Sequence, residues 1–393
     1  MDKTVIVIGL SAASMAFITK LRSFDQTSKI ICFSAESHVA YNRCLLADVL
    51  TGDNTVQAIQ LKPDDFFEKN NIEIHVNTRV TSINTKDQMI FVGDQPYAYD
   101  TLFLGIGTRP LVPSNLVTDG VSGVFTFHTL ADMQNIQEFI DKKNPQSAIV
   151  IGAGLNGMEA ASCLVQKNIA VTIVEAQSTV LPGQVDMQVA EWVSKMVQNH
   201  GVTVLTGRKV MEICRNGQQV TGVKLDSGSE LAADMVVIAA GSRLNSDLLL
   251  GTGIHLHQGS VVVSLHLQTS DPHVLAAGDI CVVPDFITKD LVRSTTWSDA
   301  MLQGLCAATT LSPTPRAYQG SIGLRDSYFF GKNFYGCGDT ISGRYTKTVR
   351  VLTDLAVEVI YTYGGTLRGF VLIGDVSKVP ELKKQYVTQE VCF

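Results

Sequence analysis

Residues Ile149–Glu159 read IVIGAGLNGME, and the next strand-like run, Val171–Glu175, reads VTIVE. An apolar stretch too short for a helix runs into three glycines spaced GxGxxG. It then passes into residues with the apolar spacing of a helix, Met158, Ala161, Leu164 and Val165, which ends at Asn168. Strand, turn, helix and strand in that order open a doubly wound parallel sheet. Gly152, Gly154 and Gly157 supply the tight turn, the close backbone approach to a pyrophosphate and the helix–strand contact, and N–H groups at the helix start hold the phosphates. Glu175, 18 residues after Gly157, stands where a carboxylate accepts from both adenosine ribose hydroxyls. No Arg or Lys follows at 176–179, so NADH is expected rather than NADPH.

The pattern occurs twice. The first copy begins VIVIGLSAAS (Val5–Ser14) and ends YDTLFLGIG (Tyr99–Gly107), and the second closes with ADMVVIAAG (Ala233–Gly241). Gly9 lies 98 residues before Gly107, and Gly152 lies 89 before Gly241. In each copy an Asp, Asp100 or Asp234, stands seven residues before the closing glycine. The first turn keeps only Gly9 and has Ser11 and Ser14 where the other glycines would be. A serine adds a Cβ where backbone meets phosphate, although its hydroxyl is itself a phosphate donor. The candidate ribose carboxylate of this copy is Glu36.

With 393 residues the chain is long enough for two or three domains, and 45% hydrophobic against 17% charged residues marks it as folded and core-rich. A net charge of −6 gives no electrostatic reason to bind nucleic acid or an anionic membrane. The eight cysteines form no CxxC pair, which suits a reducing, cytoplasmic setting, and no run is apolar for long enough to span a bilayer. His255 and His257 share a strand face and His266 follows, but no third ligand is fixed by spacing, so no metal is expected. From about Ser312 the texture shifts to Tyr- and Phe-rich strands, a C-terminal α+β module.

Five segments together resemble the FAD-dependent pyridine nucleotide-disulfide oxidoreductase superfamily, in its branch of rubredoxin reductases and nitrite reductase flavin domains. They are AYNRCLLADVLTG (Ala40–Gly52), YDTLFLGIGTRP (Tyr99–Pro110), GAGLNGME, TSDPHVLAAGD (Thr269–Asp279) and WSDAMLQGLCAA (Trp297–Ala308). The resemblance implies an FAD fold of residues 1–113 and 243–312, an NAD fold of 114–242 inserted in it, and a C-terminal domain of 313–393 that supports dimers or partner contacts. It also implies that Asp279 contacts the ribityl chain, and that Arg43 lies against the phosphates or ring edge. Gly107, Thr108 and Arg109 follow the strand abutting FAD, Trp297 opens a segment closing over the ring, Gly241 ends the NAD fold, and Glu159 faces the nicotinamide. The lysine that some relatives carry after the Tyr-x-Arg motif is absent, with Ala47-Asp48 in that stretch.

The expected activity is electron transfer from NADH through FAD to an acceptor such as rubredoxin. Cys44 stands eight residues before Gly52, where NADH oxidases and coenzyme A disulfide reductases carry a redox cysteine, so a thiol-dependent enzyme is the first rival. The irregular first turn leaves a second rival, a non-enzymatic flavoprotein that responds to NADH.

Overall fold

The computed structural model describes residues 3–341 and 343–388; Cys392 lies outside them. The chain separates into two compact units, one of Met1–Asn42, Val56–Arg109 and Leu244–Gly323, the other of Arg43–Thr55, Pro110–Arg243 and Leu324–Phe393.

In the first unit five parallel strands lie in the order Val274–Ala276, Thr101–Leu104, Thr4–Ile8, Lys29–Phe33, Ile72–His75. The central strand is buried on both faces, as the unbroken apolar run of Val5–Ile8 requires. The Ala12–Arg22 helix leaves this strand and packs along the Trp297–Thr309 helix. Gly304 makes that approach feasible, since a Cβ there would lie 2.1 Å from the Ala13 carbonyl oxygen.

The second unit repeats the plan, with parallel strands in the order Thr203–Thr206, Ala170–Glu175, Ser147–Ile151, Met235–Ile238, Val124–Thr126. The helix after the glycine turn runs Leu155–Gln166 and buries Met158, Ala161 and Leu164; Val165, expected on the same face, is only partly buried. Asn168 takes the turn that follows, at φ +59. The unit also holds an antiparallel sheet of five strands between Arg325 and Ile373, followed by the Val379–Thr388 helix.

The duplication extends to single hydrogen bonds. Gly9 N–H donates to Phe33 O and Gly152 N–H to Val174 O, each at 2.8 Å. Asp100 Oδ2 accepts from Thr4 N–H at 2.7 Å and Asp234 Oδ2 from Ser147 N–H at 2.9 Å, so each aspartate fixes the start of its fold's first strand.

Candidate functional site

Each glycine turn is built by the strand beside it. Gly9 has φ +91 and Gly152 φ +107, in the region that favours glycine, and a Cβ on either would lie 2.2 or 2.3 Å from a carbonyl oxygen, of Gly105 and Ala239 respectively. In the second turn Gly157 packs the helix against the turn, because a Cβ there would sit 2.1 Å from Gly152 O and 3.7 Å from Ala239 Cβ. In the first turn the residue at that position is Ser14, buried, its hydroxyl without a partner. The space it needs comes from across the contact: a Cβ on Gly105 would lie 2.1 Å from Ser14 Oγ. Gly105 corresponds to Ala239, so the glycine has changed sides. Ser14 therefore sits in the helix–strand contact, and Ser11 is the N-cap residue of the Ala12–Arg22 helix.

Both turns leave open space beside their glycines. A Cβ built on Gly107 or Gly241 meets nothing within 4 Å, and one on Gly154 finds only Gln184 Nε2, at 3.7 Å. Gly107 and Gly241 stand just past the strands beside the two turns, and the space at them is open.

In the first unit, Glu36 accepts a hydrogen bond from the Tyr41 hydroxyl at 2.5 Å. Arg109 donates through Nη1 to Leu244 O at 3.2 Å and to Asn245 Oδ1 at 2.9 Å, and Nη2 pairs with Asp247; Arg109 therefore clamps the returning segment 244–247 beside Gly107 and Thr108. Asp279 follows the Gly278 turn, and Trp297 is the first residue of its helix, packed against the unit's core.

In the second unit, Glu175 is buried and both its oxygens are engaged. Oε2 accepts from Ala153 N–H in the glycine turn and Oε1 from Gln177 N–H, both at 2.7 Å. A carboxylate offers about four lone-pair directions, so each oxygen keeps an acceptor direction that these two bonds do not use. Arg43 donates from Nη1 to His128 O at 2.9 Å.

Glu159 and Cys44 share a neighbourhood that the sequence did not reveal. The Ser327 hydroxyl, 168 residues away, donates to Glu159 Oε1 at 2.5 Å. Burial pushes the Glu159 carboxyl up to about 7, against the Ser327 hydrogen bond, and Asp326 and Asp48 push it the same way. Cys44 is exposed by accessible area, yet the protein crowded around its thiol, together with Asp326 and Glu159, raises it to about 12. A thiol flanked by carboxylates is the reverse of an activated nucleophile. Nothing local in the sequence around Glu159 announces Asp326 or Ser327, which arrive on the strand Arg325–Phe329. Among the described residues no group of three or more His, Cys, Asp or Glu is placed to hold a metal ion, and no helix is long and apolar enough to cross a membrane.

Two parallel sheets, each opening on a glycine turn, follow the plan of a protein with two nucleotide-binding folds. Residues 3–304 match the pyridine nucleotide-disulphide oxidoreductase model, and the chain belongs to that family of FAD- and pyridine-nucleotide-dependent enzymes. It is 28% identical over 383 residues to nitrite reductase [NAD(P)H] of Bacillus subtilis (strain 168), covering 96% of this chain and 46% of that protein, so it spans less than half of that relative. It is 28% identical over 321 residues to rubredoxin-NAD(+) reductase of Pseudomonas putida, covering 79% of this chain and 82% of that one. The crystal structure of reduced Bacillus anthracis CoADR-RHD superposes with a TM-score of 0.89 at 25% identity, over 98% of this chain and 74% of that one. Membership of an enzyme family sets aside the non-enzymatic reading.

Proposed function

We propose that the chain passes electrons from NADH through FAD to a small redox protein of the rubredoxin kind, with FAD held by the first unit and NADH by the second. The observation that supports this over a thiol-dependent enzyme is the setting of Cys44. With its thiol raised to about 12 by crowding, Asp326 and Glu159, it stays protonated at neutral pH and is poorly suited to act as the electron carrier.

Flavin, when bound, accepts a hydride and releases electrons singly or in pairs. The chain's own residues do the rest. Gly9, Ser11 and the start of the Ala12–Arg22 helix hold one pyrophosphate; Gly152, Gly154 and the start of the Leu155–Gln166 helix hold the other. Glu36 and Glu175 take the riboses, and Asp279 the ribityl hydroxyls. Glu159, neutral below about pH 7, adds no negative charge beside the nicotinamide.

Anaerobic reduction by NADH, followed by a panel of acceptors, tests this reading. Rapid reoxidation by rubredoxin or ferredoxin, retained in Cys44→Ala, is expected. Turnover confined to coenzyme A disulfide or persulfide, and lost in Cys44→Ala, would replace it with the thiol-dependent enzyme.

A further inference from the structure

Gln303, in the Trp297–Thr309 helix, is completely buried. Its Oε1 accepts a hydrogen bond of 2.8 Å from the N–H of Gly278, the residue before Asp279. Gly278 is at φ +83, and a Cβ there would lie 3.3 Å from Ala13 Cβ, so this turn is both conformationally special and tightly enclosed.

On the other side of Gln303 its Nε2 and the Tyr318 hydroxyl are both buried without a hydrogen bond of normal geometry. The side chains that act on that hydroxyl are Asp299, Gln303 and Cys306. Asp299 is buried one helical turn before Gln303 and accepts from Ser294 Oγ at 2.6 Å and from Ser321 Oγ.

Donor and acceptor inventory gives this string one direction. Asp299 already serves as acceptor to two hydroxyls, so the Tyr318 hydroxyl turns its proton toward that acceptor and its oxygen toward Gln303 Nε2. The amide can then present only Oε1 to Gly278. The alternative flip would aim two N–H donors at a backbone N–H and leave all of them unpaired in the interior.

We infer that Gln303, oriented by Tyr318 and Asp299, is a positioning residue that fixes the Gly278–Asp279 turn for FAD. This rests on the reading of Asp279 as an FAD contact. It goes further in assigning the geometry of that contact to a side chain that does not itself touch the cofactor.

The test uses the full chain and two variants. Gln303→Met keeps the volume and removes the polar ends, so a residue that only fills space should tolerate it. Tyr318→Phe keeps Gln303 and removes only what orients it. Amide hydrogen exchange of residues 274–281 is measured in FAD-free protein, and FAD affinity by quenching of flavin fluorescence. Gln303→Met is expected to speed exchange at Gly278 at least tenfold and weaken FAD at least tenfold, and Tyr318→Phe to do both several-fold, with the melting temperature of Tyr318→Phe within a few degrees of the parent. Exchange and affinity unchanged in Gln303→Met would overturn the inference. If Gln303→Met does not fold, the same two readouts on Tyr318→Phe decide it. A parent protein that fails to take up FAD removes the FAD reading instead, and exchange in the FAD-free variants then still decides whether Gln303 holds the turn.

Discussion

Ser14 and Gly105 divide between them the room for a single side chain: the hydroxyl of one occupies the place where a Cβ of the other would be, 2.1 Å away. The second fold meets the same need with Gly157 on the helix and Ala239 on the strand. Gly105→Ala alone is therefore expected to overpack the contact and cost about 1–3 kcal/mol. Adding Ser14→Gly should restore most of the loss by recreating the Gly157/Ala239 arrangement. Urea unfolding of the two single variants and the double variant checks this; additive losses would show that the two residues do not share the space.

Glu175 holds the second turn through Ala153 N–H and Gln177 N–H. Glu175→Ala leaves both donors without their acceptor, a loss of about 1–3 kcal/mol. With Glu175 in its proposed place at the adenosine ribose, a 2′-phosphate is disfavoured there, and flavin reduction should favour NADH over NADPH by roughly tenfold or more in kcat/KM, about 1.4 kcal/mol. Equal specificity constants would refute the assignment.

How far the site can be read from sequence follows from what each residue answers to. Gly9 and Gly152 are legible because a positive φ and a carbonyl at contact distance leave no other choice. The echo of Asp100 and Asp234 is legible because both meet the same need, a cap on the N–H groups that start a central strand. Ser327 is not, since its partner Glu159 is 168 residues distant and a serine in a strand looks like any other surface residue. Gln303 stands inside a motif visible in the sequence, yet its bond to Gly278 depends on how the Trp297–Thr309 helix meets the turn, which no local pattern encodes.

Glu159 gives stability a pH dependence of definite sign. Its carboxyl is raised from an ordinary 4.5 to about 7 in the folded chain, so the folded state keeps a proton that the unfolded state releases. Stability is unaffected by it below about pH 4.5 and falls as pH rises to about 7. Glu159→Gln should remove that fall, becoming more stable than the parent at pH 8 and matching it near pH 4.5. Parallel unfolding curves for the two proteins across this range would contradict the raised carboxyl.

At neutral pH the Cys44 thiol, at about 12 against an ordinary 9.0, should hold roughly a thousandth of the thiolate of an unperturbed cysteine. Alkylation by iodoacetamide at pH 7.5 is expected to be slower in proportion, and faster in Asp326→Asn. Rapid labelling of the parent, located at Cys44 by peptide mapping, would show an activated thiol.

The first sheet is assembled from distant parts of the chain, because Thr101–Leu104 pairs on one side with Thr4–Ile8 and on the other with Val274–Ala276. On the ribosome the first partner is already present, but the second is made about 170 residues later. At about 5–20 residues per second this leaves one edge of the sheet open for roughly ten to thirty seconds. An unpaired strand edge is a template for any other extended chain. The inserted second fold is thus also a delay built into synthesis, during which chaperones and neighbouring nascent chains compete for a position that belongs to Val274–Ala276.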